Sequence, residues 1–127
     1  NTTVYLFNKE RRILLPIKMT SAAADNLVLA KNKFLEPRPH IHDTTNRLVR
    51  ALQGKIDRII INRYHDKVFY SYIRVIKGKK ICDVDAKPSD SMSIALRLGI
   101  PIFVKQCVYK KAGIKITKEL LEQSASV

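Results

Sequence analysis

Two apolar runs, "TVYLF" and "RILLPI", flank the polar "NKER" near the start of the chain and predict a β-hairpin with a short connection. From Thr20 the period changes. Ala24, Leu27, Val28 and Phe34 recur at helical spacing, so "AAADNLVLAKNKF" predicts a helix capped by Thr20 or Ser21 and stopped by residues 36–39. A second helix is expected in "TTNRLVRALQG", with Asp43 as N-cap, Leu48, Val49 and Leu52 on one face, and Gly54 at its end. Beyond Lys55, the runs "IDRIIIN", "VFYSYIRVI" and "ICDVDA" are separated by turns at "YHD" and "KGKK", which predicts an antiparallel meander. "KPSDSMSIALRLG" then reads as loop, cap and helix. Ser89 or Asp90 offers the capping oxygen, Ile94, Leu96 and Leu98 the packing side, and Gly99 the stop. "PIFV" reads as a short buried strand, and "KELLEQS" as a terminal helix capped by Thr117.

The succession of strand, small polar cap and Ala/Ser-rich helix occurs at "ILLPIKMTSAAADNLVLA" and again at "ICDVDAKPSDSMSIALRL". The expected architecture is therefore one α/β (α+β) domain over residues 1–127. Its sheet is mixed and mostly antiparallel, with an internal duplication of a β-hairpin-plus-helix unit. With 127 residues, 46% of them hydrophobic, the chain is long enough to bury a core without disulfides. Cys82 and Cys107 lie far apart in apolar stretches, which predicts reduced, buried thiols and a cytoplasmic setting. No run approaches the ~20 apolar residues of a membrane span. No signal-peptide core is visible, and the chain opens at Asn1 inside a strand pattern without Met, as a piece of a longer protein would.

Charge adds a partner class. The chain carries 24 Lys plus Arg against 11 Asp plus Glu, a net +13. Residues 1–63 hold 12 basic and 5 acidic side chains and residues 64–127 hold 12 and 6, so the excess is not a basic tail. Such a field concentrates polyanions, with nucleic acid first and acidic proteins or anionic membranes after it. It reports attraction, not chemistry.

Two stretches can carry chemistry. In "PRPHIHDTTNRL", residues i and i+2 of an extended segment point the same way, so His40 and His42 could offer two nitrogens and Asp43 an oxygen to a metal. Helix capping accounts for Asp43 equally well. In "DVDAKPSD", Asp83 and Asp85 share one strand face, while Asp85 ends the strand and Asp90 opens the next helix, so the intervening loop could bring these two carboxylates to one point. Carboxylates there could hold Mg²⁺ or Mn²⁺ to polarise a phosphoryl oxygen, with Lys87 and Arg38 neutralising the phosphate. The alternative is an internal ion-pair lock, with Asp85 and Asp90 tied to Arg38 or Lys87. Ser89 and Ser91 lack a "GxSxG" elbow, and four glycines form no phosphate loop, so neither a serine hydrolase nor a P-loop enzyme fits.

Three blocks, "LLPIKM", "PRPHIHDTTNRLVRALQGKIDRIIIN", and "VFYSYIRV" with "VDAKPSDSMSIALRLGIPIFV", stand in an order that resembles the bifunctional nuclease domain. The resemblance runs from Val4 to Ile114 and leaves residues 115–127 as a C-terminal helix. It implies a compact α/β domain acting on RNA and DNA. The matching motif residues are Arg38, His42, Asp43, Asp85, Pro88, Ser89 and Asp90. This chain departs from the family pattern with Lys87 for Arg, His40 and Ile41 for Leu and Thr, Ala23 for Glu, and Thr20 for Gly. The expected centre uses His42, Asp43, Asp85 and Asp90 in catalysis, with Asp43, Asp85 and Asp90 as ligands of Mg²⁺ or Mn²⁺. Arg38, Lys87 and Ser89 bind substrate, and the two blocks face each other across one pocket. The expected partners are nucleic acid and a second copy in a homodimer or larger assembly, with no membrane. The contrasting expectation is a non-catalytic nucleic-acid-binding or assembly module, in which the same residues form a structural polar lock.

Overall fold

A computed structural model describes residues 1–34 and 36–120. Strands β1 (Thr2–Asn8) and β2 (Ile13–Met19) pair antiparallel from Thr2 opposite Met19 to Asn8 opposite Ile13, forming the first hairpin. The short β7 (Ile114–Lys115) joins β2 and completes a three-stranded antiparallel sheet in the order β1-β2-β7. The meander forms a second sheet from β3 (Lys55–His65), β4 (Val68–Lys77) and β5 (Lys80–Ala86). Strand β6 (Ile102–Val104) runs parallel to β3 at its far side, which gives the order β5-β4-β3-β6. The mostly antiparallel pairing is thus divided between two sheets. Asp66 and Lys67 at the β3–β4 turn both adopt positive φ, as a tight two-residue hairpin connection requires.

Among the described residues, helices α1 (Ser21–Lys31), α2 (Ile41–Ala51), α3 (Pro88–Leu98) and α4 (Gln106–Ala112) pack with these sheets. Leu15 of β2, Ile59 and Ile61 of β3 and Val108 of α4 are fully enclosed. Leu27 of α1 and Met92, Ile94 and Ala95 of α3 complete the core around them. None of the described helices is long and apolar enough to cross a membrane.

The caps explain where the helices begin. Thr20 caps α1 as expected, its hydroxyl accepting from Ala23 N at 3.1 Å. Helix α2 starts three residues earlier than expected, at Ile41 rather than Thr44. Its N-cap is His40, and Asp43 is the third helical residue, where its carboxylate accepts from His40 N at 3.1 Å to close a capping box. Neither Ser89 nor Asp90 caps α3. Pro88 lacks an N–H and has its φ preset, so the helix begins at Pro88 and leaves Lys87 as an N-cap without a side-chain bond.

Several expected core residues lie outside. Val28, Phe34, Leu48 and Leu52 are exposed, and the buried residue of α2 is His42. Cys82 and Cys107 are exposed rather than buried. Cys82 sits on β5, an edge strand exposed along six of its seven residues, and Cys107 on the outer side of α4. Strand β6 is only half covered, with Phe103 facing solvent. Helix α4 and strand β7 carried no sequence signal. Residues 118–120 are helical and Thr117 accepts from Leu120 N at 3.2 Å, while the rest of "KELLEQS" lies outside the described residues.

Gly99 closes α3 at φ 68°, in the left-handed region, and a Cβ added there meets nothing within 4 Å. Gly99→Ala therefore carries only the backbone penalty, about 1 kcal/mol. We expect a lower urea midpoint with an unchanged slope in equilibrium unfolding.

Candidate functional site

Helices α2 and α3 meet through a run of polar side chains. Asp90, Ser93 and Arg97 are spaced three and four residues apart, which puts them on one side of α3. His42 and Asp43 reach that side from the first turn of α2. Asp43 Oδ2 accepts from Arg97 NH1 at 3.1 Å, and Arg97 Nε donates to Ser93 Oγ at 3.4 Å. Ser93 Oγ lies 3.1 Å from His42 Nδ1, and His42 Nε2 lies 2.9 Å from Asp90 Oδ1. Lys87 Nζ stands 4.0 Å from the other oxygen, Asp90 Oδ2. Asp43, Arg97, Ser93, His42, Asp90 and Lys87 thus form one continuous chain of contacts.

The proton positions follow from the partners. A carboxylate only accepts, so His42 Nε2 donates to Asp90. Nδ1 is left facing the Ser93 hydroxyl and, at 2.9 Å, the Nδ1 of His40, whose ring stacks on His42 with centroids 4.8 Å apart. Exposure gives the chain a direction. His42 is 9% exposed, whereas the Asp90 side chain is 44% exposed. The imidazole lies inside and the carboxylate outside.

Burial at His40, together with the positive charge of Arg97 and the neighbouring His42, holds its imidazole below the free value of 6.5, against the opposing pull of Glu36 and Asp43. The unfolded chain therefore binds the His40 proton more readily than the folded one. Its effect on stability is flat above 6.5 and becomes destabilising as pH falls from 6.5 through the lowered folded value. His40→Asn keeps a capping side chain and removes the titration. Melting temperatures from pH 7.5 to 5.0 are expected to fall less steeply in His40→Asn than in the parent. Equal slopes would contradict the assignment.

Four of the expected site residues line two separate clefts, Asp43 and Arg38 one and Lys87 and Ser89 the other, while His42, Asp85 and Asp90 line neither. Asp43 and Arg97 line the first, of about 400 Å³, with Arg38, Arg47, Lys33 and Phe34. Lys87 and Ser89 line the second, of about 710 Å³, where Lys18 and Lys67 also stand near Tyr64 and Phe69. Asp43 and Asp90 belong to the same network without touching. Asp85 is apart from both. It lies opposite Tyr72 in register, whereas Ser71, the next residue of β4, bonds Ser91 of α3 at 2.8 Å. Strand alternation then puts Asp85 on the sheet face away from α3. Asp83 shares that face and is fixed there by Arg74, which donates to it at 2.9 and 3.1 Å and holds its carboxyl below the usual range.

The three carboxylates expected to share a Mg²⁺ or Mn²⁺ do not converge on one point. Asp43 is committed to Arg97 and the α2 cap, Asp85 faces the other way, and among the described residues no three His, Cys, Asp or Glu side chains group closely enough to hold an ion. Ser93 and Arg97 are not among the residues expected from the sequence. Their spacing from Asp90 on one helix side was the available signal; their partners on α2 are about fifty positions away in the chain.

Comparison with known proteins follows the same blocks. The model of the bifunctional nuclease domain matches residues 4–117. An uncharacterized protein of Mycobacterium tuberculosis is 33% identical over 112 residues, covering 88% of this chain and 66% of its own length. Bifunctional nuclease 1 of Oryza sativa subsp. japonica and bifunctional nuclease of Oryza minuta are each 24% identical over 115 residues, covering 88% of this chain and 35% of theirs. The chain thus spans about two thirds of the mycobacterial relative and about a third of the rice proteins. With the family model matched over nearly its whole length, the chain belongs to the bifunctional nuclease domain family.

Proposed function

We propose that this chain hydrolyses phosphodiester bonds of RNA, DNA or both, with Asp90 as the base and His42 as the residue that positions it. The observation that carries the reading is the outward-facing Asp90 carboxylate, held at 2.9 Å by the buried His42 and flanked by Lys87 at the uncapped start of α3. The positive end of a helix, a lysine and the Ser89 hydroxyl are suited to a phosphate. In the proposed step Asp90 takes a proton from water as the water oxygen bonds to phosphorus. The ester P–O bond breaks, and the leaving oxygen takes a proton from solvent. Arg38, in the first cleft, neutralises a neighbouring phosphate of the same strand. No step is routed through a metal. The nuclease names of the rice relatives and the net charge of +13 support a nucleic-acid substrate. The two free thiols suit a reducing, cytoplasmic setting.

The test is cleavage of end-labelled single-stranded RNA and DNA by the purified protein in Mg²⁺, in Mn²⁺ and in EDTA. Product from either strand supports the reading, and the EDTA arm measures the part a cation plays. Intact substrate under all three conditions contradicts it. One observation favours a second reading, a structural lock: His42 is buried, and every polar atom of its ring has a partner. Under that reading the network joins α2 to α3 and does no chemistry.

A further inference from the structure

The first cleft holds a side chain that the network does not use. Phe34 is 66% exposed at its rim, directly after α1, and makes no part of the core. A single exposed phenyl is ordinary on a protein surface, and what distinguishes this one is its place on a cleft lined by cationic side chains. Around it stand Lys33, Arg38 and Arg47, against the single uncommitted acid Glu36, because Asp43 is already bound by Arg97. Lys33 is tethered through Nζ to Leu96 O at 3.2 Å. Among the described residues neither Arg38 nor Arg47 enters an ion pair. An accessible aromatic face beside unpaired guanidinium groups, in a space of about 400 Å³, matches the size and chemistry of one nucleotide.

We propose that this cleft binds one nucleotide of a single-stranded nucleic acid, its base stacked on Phe34 and its phosphate held by Arg38 and Arg47. The inference deepens the nuclease reading and rests on it for the class of substrate. A single strand is required because a paired base offers no free face to a phenyl ring, while an unpaired base stacks on one whatever its identity. Duplex of the same length should therefore bind only through the general positive field.

The chain has no tryptophan, so Phe34→Trp introduces a lone indole at the proposed stacking position. Its fluorescence is titrated with a ten-nucleotide oligouridylate, with an abasic decamer of the same charge and with uridine monophosphate. Titrations are run in EDTA, and the oligonucleotide is checked for integrity afterwards. Oligouridylate is expected to quench the indole and the abasic decamer to leave it unquenched. In anisotropy measurements Phe34→Ala is expected to bind oligouridylate about tenfold more weakly than the parent while binding the abasic strand equally. Arg38→Ala should weaken both. An unquenched indole, parent-like binding of oligouridylate by Phe34→Ala, or no binding by the parent would overturn the proposal. Uridine monophosphate bound as tightly as the decamer would overturn its strand part. Intact Phe34-dependent binding without any cleavage would remove the nuclease reading alone.

Discussion

Asp90→Asn is expected to lower phosphodiester cleavage by about two to four orders of magnitude, the usual span for removing a positioned proton acceptor. The substitution is nearly isosteric. Asparagine keeps an oxygen that can accept from His42 Nε2, so the 2.9 Å contact survives in geometry while the negative charge and the proton-accepting ability are lost. The cost in stability is a charge-assisted bond turned into a neutral one at a half-exposed position, about 1 kcal/mol or less. Measured turnover should therefore collapse in a protein whose unfolding midpoint scarcely moves. No other substitution in the network separates chemistry from folding so cleanly, because Asp90 is the member that faces outward.

Arg97→Met is expected to do the reverse. The Arg97 side chain is 11% exposed and its guanidinium bonds both Asp43 and Ser93, so its loss leaves a carboxylate and a hydroxyl short of partners between two packed helices. Removing one member of such a pair costs about 2–3 kcal/mol here, less than in a fully buried pair because the Asp43 side chain is 36% exposed. Methionine fills much of the aliphatic volume, which keeps the change electrostatic rather than a cavity. Chemical denaturation should show the loss as a lower midpoint. Any surviving fold should retain Asp90 and measurable cleavage, and activity abolished in a well-folded Arg97→Met protein would place Arg97 closer to the chemistry than the geometry does.

The limits of reading this chain from its sequence follow from which contacts are local. The β1-β2 hairpin, the β3-β4-β5 meander, the Thr20 cap and the Gly99 stop were legible, since each depends on alternation or on one residue at a helix end. His40 as a cap was not, because histidine is not among the preferred capping residues and Asp43 three positions later offered a better one. Burial was misjudged where tertiary placement decides it. Cys82 has an apolar, strand-like neighbourhood, yet β5 lies at the sheet edge, and Phe34 follows the helical spacing of α1 but lies past its end. Within the candidate site His42, Asp43 and Asp90 were singled out from motif blocks, and the structure brings them into one network. Asp85 separates from Asp90 because Pro88 starts a helix just where the strand's alternation has turned Asp85 to the opposite face. Ser93 and Arg97, which join the two blocks physically, were visible only as a helix side without a known partner.

Cleavage and unfolding measured on the same preparations of the parent protein and Asp90→Asn, at equal concentration and in the same Mg²⁺, Mn²⁺ and EDTA buffers, test the catalytic role of Asp90 most directly. We expect cleavage by the parent, its near-complete loss in the variant, and unfolding midpoints that agree. Equal cleavage by the two proteins, or no cleavage by the parent together with a clearly less stable variant, would contradict the catalytic reading and leave the network as a lock between α2 and α3.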